Sequence, residues 1–462
     1  MPGPSAPATT PAGRTRRPPA LPPLTGNGRL LGAAVIDSVG SGLVVAFVLV
    51  YFARTTALSL AAVGGALSLA RLLAAPTAVC VGPLIDRWGA RRTALAGNAV
   101  SAVGYAGFLC GHGVWQIVLV TWLAQVGAVT YWTSSSGLVV LAAEAAARPR
   151  WFALLHTLRN SGLAVGGALG ALLVGAAGTA GLNAVVVANA ASYATAALLL
   201  ARWRPVREPL AGTGARTGAR TGARRPEARR LVRPDDGYRA VLRDRRYLLL
   251  VAVNVNFVFT ALVLNLLLAV YITTGLHRPA WIAGVLLVVN GVQVAVTQTG
   301  VSRRLERFRP VRVIAASALL NAVAFGLFAA VRVTPGWCVL GGLLLGIVLY
   351  TLAETAATPF SADLSVSLAP EHLRGRYLAV HQLSWTFGQT VAPGVLALLL
   401  TRGAGRPWLF LIALSLAAVP ALLRLERLID TPATAVDPAA ADARIARPGP
   451  ARPGAPTANP AA

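Results

Sequence analysis

The chain has 462 residues, 55% of them hydrophobic and only 13% charged, with a mean hydropathy of +0.63. A soluble chain carries about twice that charged fraction, and the apolar runs of about 20 residues that recur here each match a bilayer core of about 30 Å. A soluble globular domain is excluded, and so is a β-barrel, which would alternate polar and apolar residues. The net charge of +26 comes from Arg alone, since the chain has no Lys, and reads as basic residues kept on the cytoplasmic side of a membrane, with no nucleic-acid partner.

Residues 1–28 are rich in Pro and Arg and read as a disordered cytoplasmic tail with no signal peptide. Six spans follow within residues 29–202: Leu30–Phe52, Leu58–Ile85, Thr93–Cys110, Val114–Ala143, Trp151–Ala176 and Leu182–Leu200. Residues 203–246 are hydrophilic and repeat Thr-Gly-Ala-Arg three times between Thr213 and Arg224, which predicts a flexible linker with an amphipathic piece near Tyr238–Arg246. A second set of six fills residues 247–429: Tyr247–Thr273, Trp281–Val301, Val313–Val331, Trp337–Phe360, Tyr377–Leu400 and Pro407–Leu428. The Pro/Ala-rich tail, residues 430–462, reads as disordered. Cys80, Cys110 and Cys338 are scattered in or beside spans and make neither a disulfide framework nor a metal site.

The two sets of six resemble each other. Phe152-Ala-Leu-Leu-His156 parallels Tyr377-Leu-Ala-Val-His381, and Leu141-Ala-Ala-Glu144 parallels Phe360-Ser-Ala-Asp363. Gly300 and Arg303-Arg304 follow the eighth span as Gly82 and Asp86-Arg87 follow the second, but without the acid. A co-linear repeat of this kind predicts two parallel halves related by an axis along the membrane normal. Arg residues crowd alternate connections, which places both termini and the linker in the cytoplasm of a multi-pass plasma-membrane protein.

The turn Gly82-Pro-Leu-Ile-Asp86-Arg87-Trp-Gly89-Ala-Arg91-Arg92 lies between two of these spans. It is similar to the loop between helices 2 and 3 of the major facilitator superfamily, whose pattern is Gly-x-x-x-Asp-Arg-x-Gly-Arg-Arg. Gly82, Asp86, Arg87, Gly89 and Arg91 match in register; Ala90 replaces the first trailing Arg. The resemblance covers roughly residues 29–428. It implies an all-α membrane fold of twelve helices in two pseudo-symmetric six-helix bundles, working by alternating access. It also implies that Asp86 caps a helix of the other half near Pro370–Arg376, and that the Arg residues pair with acids at the end of the fourth span. Gly82, Asp86, Arg87, Gly89, Arg91, Arg92, Glu144, Asp363, Arg374 and Arg376 then form a cytoplasmic gate, with Glu144 paired to Arg87 or Arg91. Two marks of the drug-exporting branch are missing: the fourth span has no Arg between Leu119 and Gly127, and the fifth has no Gly-Pro.

An ionised group in hydrocarbon costs several kcal/mol, so intramembrane charges face a cavity or a partner. Asp37 in the first span, Arg71 in the second and Glu354 in the tenth are candidates for proton coupling; a static Asp37–Arg71 pair is the structural alternative. Trp122, Tyr131, Arg159, Asn254, Asn256, Gln293, Trp385 and Gln389 are candidates for lining a cavity, with helix packing as the alternative, and Arg159 is also a candidate partner of Glu144. Trp132 and Asn290 belong to the same group, and His156 and His381 read as hydrogen-bonded packing residues. No phosphate-binding loop with its Lys exists and no catalytic constellation is visible, so the chain is read as no enzyme, without cofactor or metal and driven by a proton gradient. By this analogy it is a monomeric exporter of a small, partly apolar compound, a drug or secondary metabolite. Proton-coupled uptake of a sugar, peptide or metabolite is the alternative, and a non-transporting sensor or scaffold on the same fold is a second.

Overall fold

The computed structural model describes residue 22 and residues 24–205 and 237–430; the expected tails and most of the expected linker lie outside the described residues. The described residues are mostly helical, with no strand among them. In chain order the helices are α1 (Gly28–Val45), α2 (Val48–Thr55), α3 (Leu60–Ala74), α4 (Thr77–Trp88), α5 (Ala90–Gly107), α6 (Val114–Ala142), α7 (Arg148–Arg202), α8 (Gly237–Arg243), α9 (Arg245–Leu262), α10 (Leu268–Val270), α11 (Trp281–Leu305), α12 (Pro310–Ala330), α13 (Val339–Ser367), α14 (Arg374–Thr401) and α15 (Arg406–Asp430).

Three of the expected spans are interrupted, each at an identifiable place. The first is broken at Ala46–Phe47 into α1 and α2. The second bends by 42° between α3 and α4. There Pro76 has no N–H to give to the Leu72 carbonyl, which takes the Ala75 amide instead. The seventh continues α9 through π-helical turns at Val263–Leu267 and Tyr271–Gly275 on either side of α10.

Ten described helices are long and apolar enough to cross a bilayer, and the bent pair α3 and α4 makes eleven. α7 is 55 residues long, about twice the length of one passage, and Gly178 inside it has φ 55 and ψ −122. Glycine tolerates this left-handed backbone without steric cost, so α7 turns there into two passages, and the helices are compatible with twelve.

Each half packs its own apolar core. The first half buries Tyr51, Phe52, Phe108 and Ile117 at one end and Trp151, Phe152 and Trp203 at the Arg-rich end. The second half buries Tyr271, Phe325, Phe328 and Trp408 at one end and Tyr247, Phe360 and Leu422 at the other. Val366 and Leu378 of the second half join the first half's core at the Arg-rich end, so the halves are in apolar contact there.

α1 packs closely on the first passage of α7 along Gly162, Gly166 and Gly170. A Cβ on Gly162 would sit 2.6 Å from the Ser38 Cβ, and one on Gly166 would overlap the Val39 carbonyl oxygen and lie 3.0 Å from the Gly42 Cα. In lipid such small-residue stripes replace hydrophobic collapse as the source of helix packing. Gly166→Val therefore overpacks a contact between two backbones and is expected to cost about 1–3 kcal/mol. A lowered midpoint of thermal unfolding in detergent checks this; an unchanged midpoint contradicts it.

Candidate functional site

Three groups of polar residues stand out, and the first closes the Arg-rich face. α14 begins at Arg374, so its first amides have no partner within their own helix. The Gly375 N–H donates to Asp86 Oδ1 at 2.6 Å across the two halves, and Arg376 Nη1 lies 3.7 Å from Asp86 Oδ2. A carboxylate at the positive end of a helix is stabilised by about 0.3–1 kcal/mol, and by up to about 2 kcal/mol when partly buried.

The backbones come close because both contact positions are glycine. A Cβ on Gly375 would overlap the Gly82 carbonyl oxygen and sit 2.7 Å from Asp86 Oδ1 and from Ile85 Cβ. Pro83 inside α4 leaves the Val79 carbonyl without an i+4 amide donor. The Tyr238 hydroxyl, on α8 just before the second half, donates to that carbonyl. Burial pushes the Tyr238 phenol up to about 12, so it stays a donor through the physiological range.

A pseudo-symmetric counterpart lies on the same face. Arg150 opens the fifth passage as Gly375–Arg376 open the eleventh, and its Nε donates to Glu306 Oε1 of the other half at 2.6 Å. The acid absent from the repeat at Arg303–Arg304 is thus supplied two residues further on, by Glu306. Asp363 lies within electrostatic reach of Arg148, again across the halves.

The Arg91 guanidinium turns to the carbonyls of Ala201 and Trp203 at the end of α7. Arg87 and Arg92 are exposed, as is Glu144 ahead of the 3-10 turn Ala145–Ala147. Arg374 Nη2 lies 3.7 Å from Glu371 Oε1 in its own segment.

The second group is inside the first half. Asp37 is 3% exposed and its Oδ1 accepts no hydrogen bond. The cation within electrostatic reach of Asp37 is Arg159, which takes the place that the structural alternative gave to Arg71. The cause is the glycine stripe: Gly162 is seated against Ser38 and Val39, which brings Arg159, one turn earlier on α7, to the level of Asp37. The Arg159 guanidinium carbon lies 3.6 Å from the centroid of the Trp132 ring. Tyr131 and Tyr193 are within electrostatic reach of both charges, and Tyr193 shares a hydrogen bond of 3.0 Å with Ser41. Arg71 lines an adjoining crevice with Ser41, Tyr105, Thr121 and Gln125, and Tyr105 lies within electrostatic reach of both Arg71 and Asp37.

The third group bridges the halves within the membrane. Glu354 Oε2 accepts from Asn290 at 3.3 Å, and Glu354 Oε1 lies 4.0 Å from Nε2 of His156. His156 Nδ1 lies 3.3 Å from Gln298 Oε1, and Asn160 places its amide 3.3 Å from the ring. In the sequence His156 reads as a packing residue and Gln298 carries no mark of its own. The signal available was a polar residue on each of three apolar passages, without the rotation that brings them together.

Other cavity candidates make helix-to-helix contacts. Asn254 donates to Ser384 at 2.7 Å, Asn256 accepts from Ser415 at 3.4 Å, and Gln293 donates to the Val348 carbonyl at 3.0 Å. Trp122 packs on the core around Tyr51 and Phe52, Trp385 is half-buried, and Gln389 is exposed.

The pairing of Arg150 with Glu306 is open to charge reversal. With Cys80, Cys110 and Cys338 replaced and Ala379→Cys as a buried reporter beside Gly82, Arg150→Glu or Glu306→Arg is expected to raise maleimide labelling at least about tenfold. A charge-assisted hydrogen bond of about 1.5–3 kcal/mol sets that scale. The double reversal should return the rate towards its starting value; labelling as fast as in the single variants would contradict the pairing.

Comparison with known proteins agrees with this architecture. A family model described as Major Facilitator Superfamily matches residues 30–393. A Na(+), Li(+), K(+)/H(+) antiporter of Planococcus maritimus is 24% identical over 408 residues, covering 82% of this chain and 90% of the relative. The multidrug resistance protein MdtH of Cronobacter sakazakii is 26% identical over 355 residues, covering 75% and 77%. Among solved structures, a bacterial homologue of the iron transporter ferroportin in an outward-facing state superposes with a TM-score of 0.65 at 16% identity, covering 87% of this chain and all of that one. The transporter FucP in its outward conformation gives a TM-score of 0.63 at 14% identity, covering 88% and 99%. At these identities the solved structures share the fold alone.

Proposed function

Since the chain belongs to the Major Facilitator Superfamily, a family of membrane transporters, we propose that it exports a small, partly apolar compound in exchange for protons, by alternating access. The observation that carries this reading is Asp37, a carboxylate 3% exposed in the first passage, with one oxygen unbonded and Arg159 within reach. A buried carboxylate with an unbonded oxygen favours proton uptake, and a nearby guanidinium favours release. The group therefore changes its protonation when the surroundings of Arg159 change, as they do when a substrate or water enters among Tyr131, Trp132 and Tyr193. The aromatic rings offer apolar and cation-binding faces to a compound of this kind.

The similarity to a cation/proton antiporter and to multidrug resistance proteins favours exchange over uptake. In this reading the Arg-rich face, the linker and both termini are cytoplasmic, in the plasma membrane. The Asp86 and Arg150 contacts form the cytoplasmic gate, the proton gradient supplies the energy, and the monomer is the working unit without a cofactor.

The test is proton flux in proteoliposomes with an imposed pH gradient, screened over a panel of cationic and neutral drugs. Substrate-dependent flux is expected in the parent and its loss to background in Asp37→Asn, with expression and folding retained. Flux that persists in Asp37→Asn removes Asp37 from the coupling role.

A further inference from the structure

Glu354 and His156 stand on opposite halves, α13 and α7, with Nε2 and Oε1 4.0 Å apart. Their neighbours fix which atoms meet. Gln298, fully buried on α11, donates its amide N–H to the Thr355 carbonyl at 3.0 Å. Its Oε1 is therefore the atom turned to His156, and it accepts from Nδ1. With the hydrogen on Nδ1, the neutral ring presents a lone pair at Nε2, which lies 4.0 Å from Glu354 Oε1 and 3.3 Å from the Asn160 amide nitrogen. The other carboxylate oxygen is occupied by Asn290.

Two acceptors 4.0 Å apart repel when Glu354 is ionised and His156 neutral, and one proton between them turns repulsion into a hydrogen bond across the halves. A movement of about 1.2 Å brings the pair to hydrogen-bond distance. The charged and titratable groups around the pair are few: Arg159 on the helix of His156, and Tyr350 one turn before Glu354. α11 turns the amides of Asn290 and Gln298 to the pair.

We propose that His156 and Glu354 form one proton-sharing site between the two halves, and that a protonated amine, as the transported cation, takes the proton's place there. With the proton bound, a single O–H···N bond ties the halves together. When the amine enters, its N–H donates to Glu354 Oε1 and His156 Nε2, the shared proton leaves to water on the open side, and no other bond is made or broken. A cation without N–H, such as a phosphonium, cannot satisfy both acceptors. Gln298 is a positioning residue that sets the tautomer, and Asp37 is a separate group. This rests on the proton-exchange reading for its substrate class, but the proton site is tested without transport.

The first test uses the full-length protein in lipid, with no substrate and no gradient. NMR of isotope-labelled histidine is expected to show His156, assigned by its loss in His156→Phe, as the tautomer with hydrogen on Nδ1. Gln298→Met should shift it towards the Nε2 form. An Nε2–H tautomer in the parent overturns the site, whatever becomes of any variant.

Infrared titration of the Glu354 carboxyl band, assigned by Glu354→Gln, gives a second readout. Loss of the second acceptor in His156→Phe should lower its midpoint by about one pH unit, the equivalent of one lost hydrogen bond. An unmoved midpoint overturns proton sharing.

For the ligand, propranolol, a protonated secondary amine, is expected to release a proton from the parent in detergent and none from Glu354→Gln, and tetraphenylphosphonium to release none. No release by propranolol, or equal release by both, overturns the amine assignment. Failure of gradient-driven flux alongside an intact tautomer and midpoint would instead sink the export reading alone.

Discussion

The structure turns on a carboxylate from one half set on the open end of a helix from the other. Asp86 supplies an acceptor to the Gly375 amide and a negative charge to Arg376, at the point where α14 has donors and no partners of its own. The contact needs two bare backbones, Gly82 and Gly375, and it is flanked by the Tyr238 hydroxyl on a carbonyl that Pro83 has freed. The pseudo-symmetric Arg150–Glu306 bond lies on the same face, and Val366 and Leu378 seal the apolar layer there. Closure of this face is thus spread over charge, hydrogen bonds and packing, all of them lost together if the halves part.

Deeper in the membrane, charge is managed differently in the two halves. Asp37 and Arg159 lie inside the first half, brought level by the glycine stripe that seats α7 on α1. Glu354 reaches out of its own half to His156. A rearrangement of the halves therefore breaks the second contact and leaves the first intact, which gives two buried acids two distinct couplings to the same motion.

The fold class and the passages were legible because apolar runs matched to bilayer thickness are an unambiguous signal, and Asp86 because four spaced residues around it keep their register. The breaks at Ala46–Phe47 and within the seventh passage carry no comparable sequence mark. Side-chain partners were less legible, since they depend on the rotation of each helix. Arg71 and Arg159 both lie within apolar spans in the sequence, and the seating of Gly162 on Ser38 gives Asp37 to Arg159. Glu306 sits two residues beyond the position the repeat marks, so the repeat does not point to it. Asn254 and Asn256 look like cavity residues in a linear reading, yet Ser384 and Ser415 on neighbouring helices take them up.

Whether the Asp86 contact holds the Arg-rich face closed can be read from a distance across that face. Spin labels at the exposed positions Arg92 and His372, one on each half, report it by pulsed electron resonance in lipid. One short distance is expected in the parent and a second, longer population in Asp86→Ala, with Asp86→Asn in between because its amide oxygen still accepts from Gly375. Identical distributions in all three proteins would contradict it.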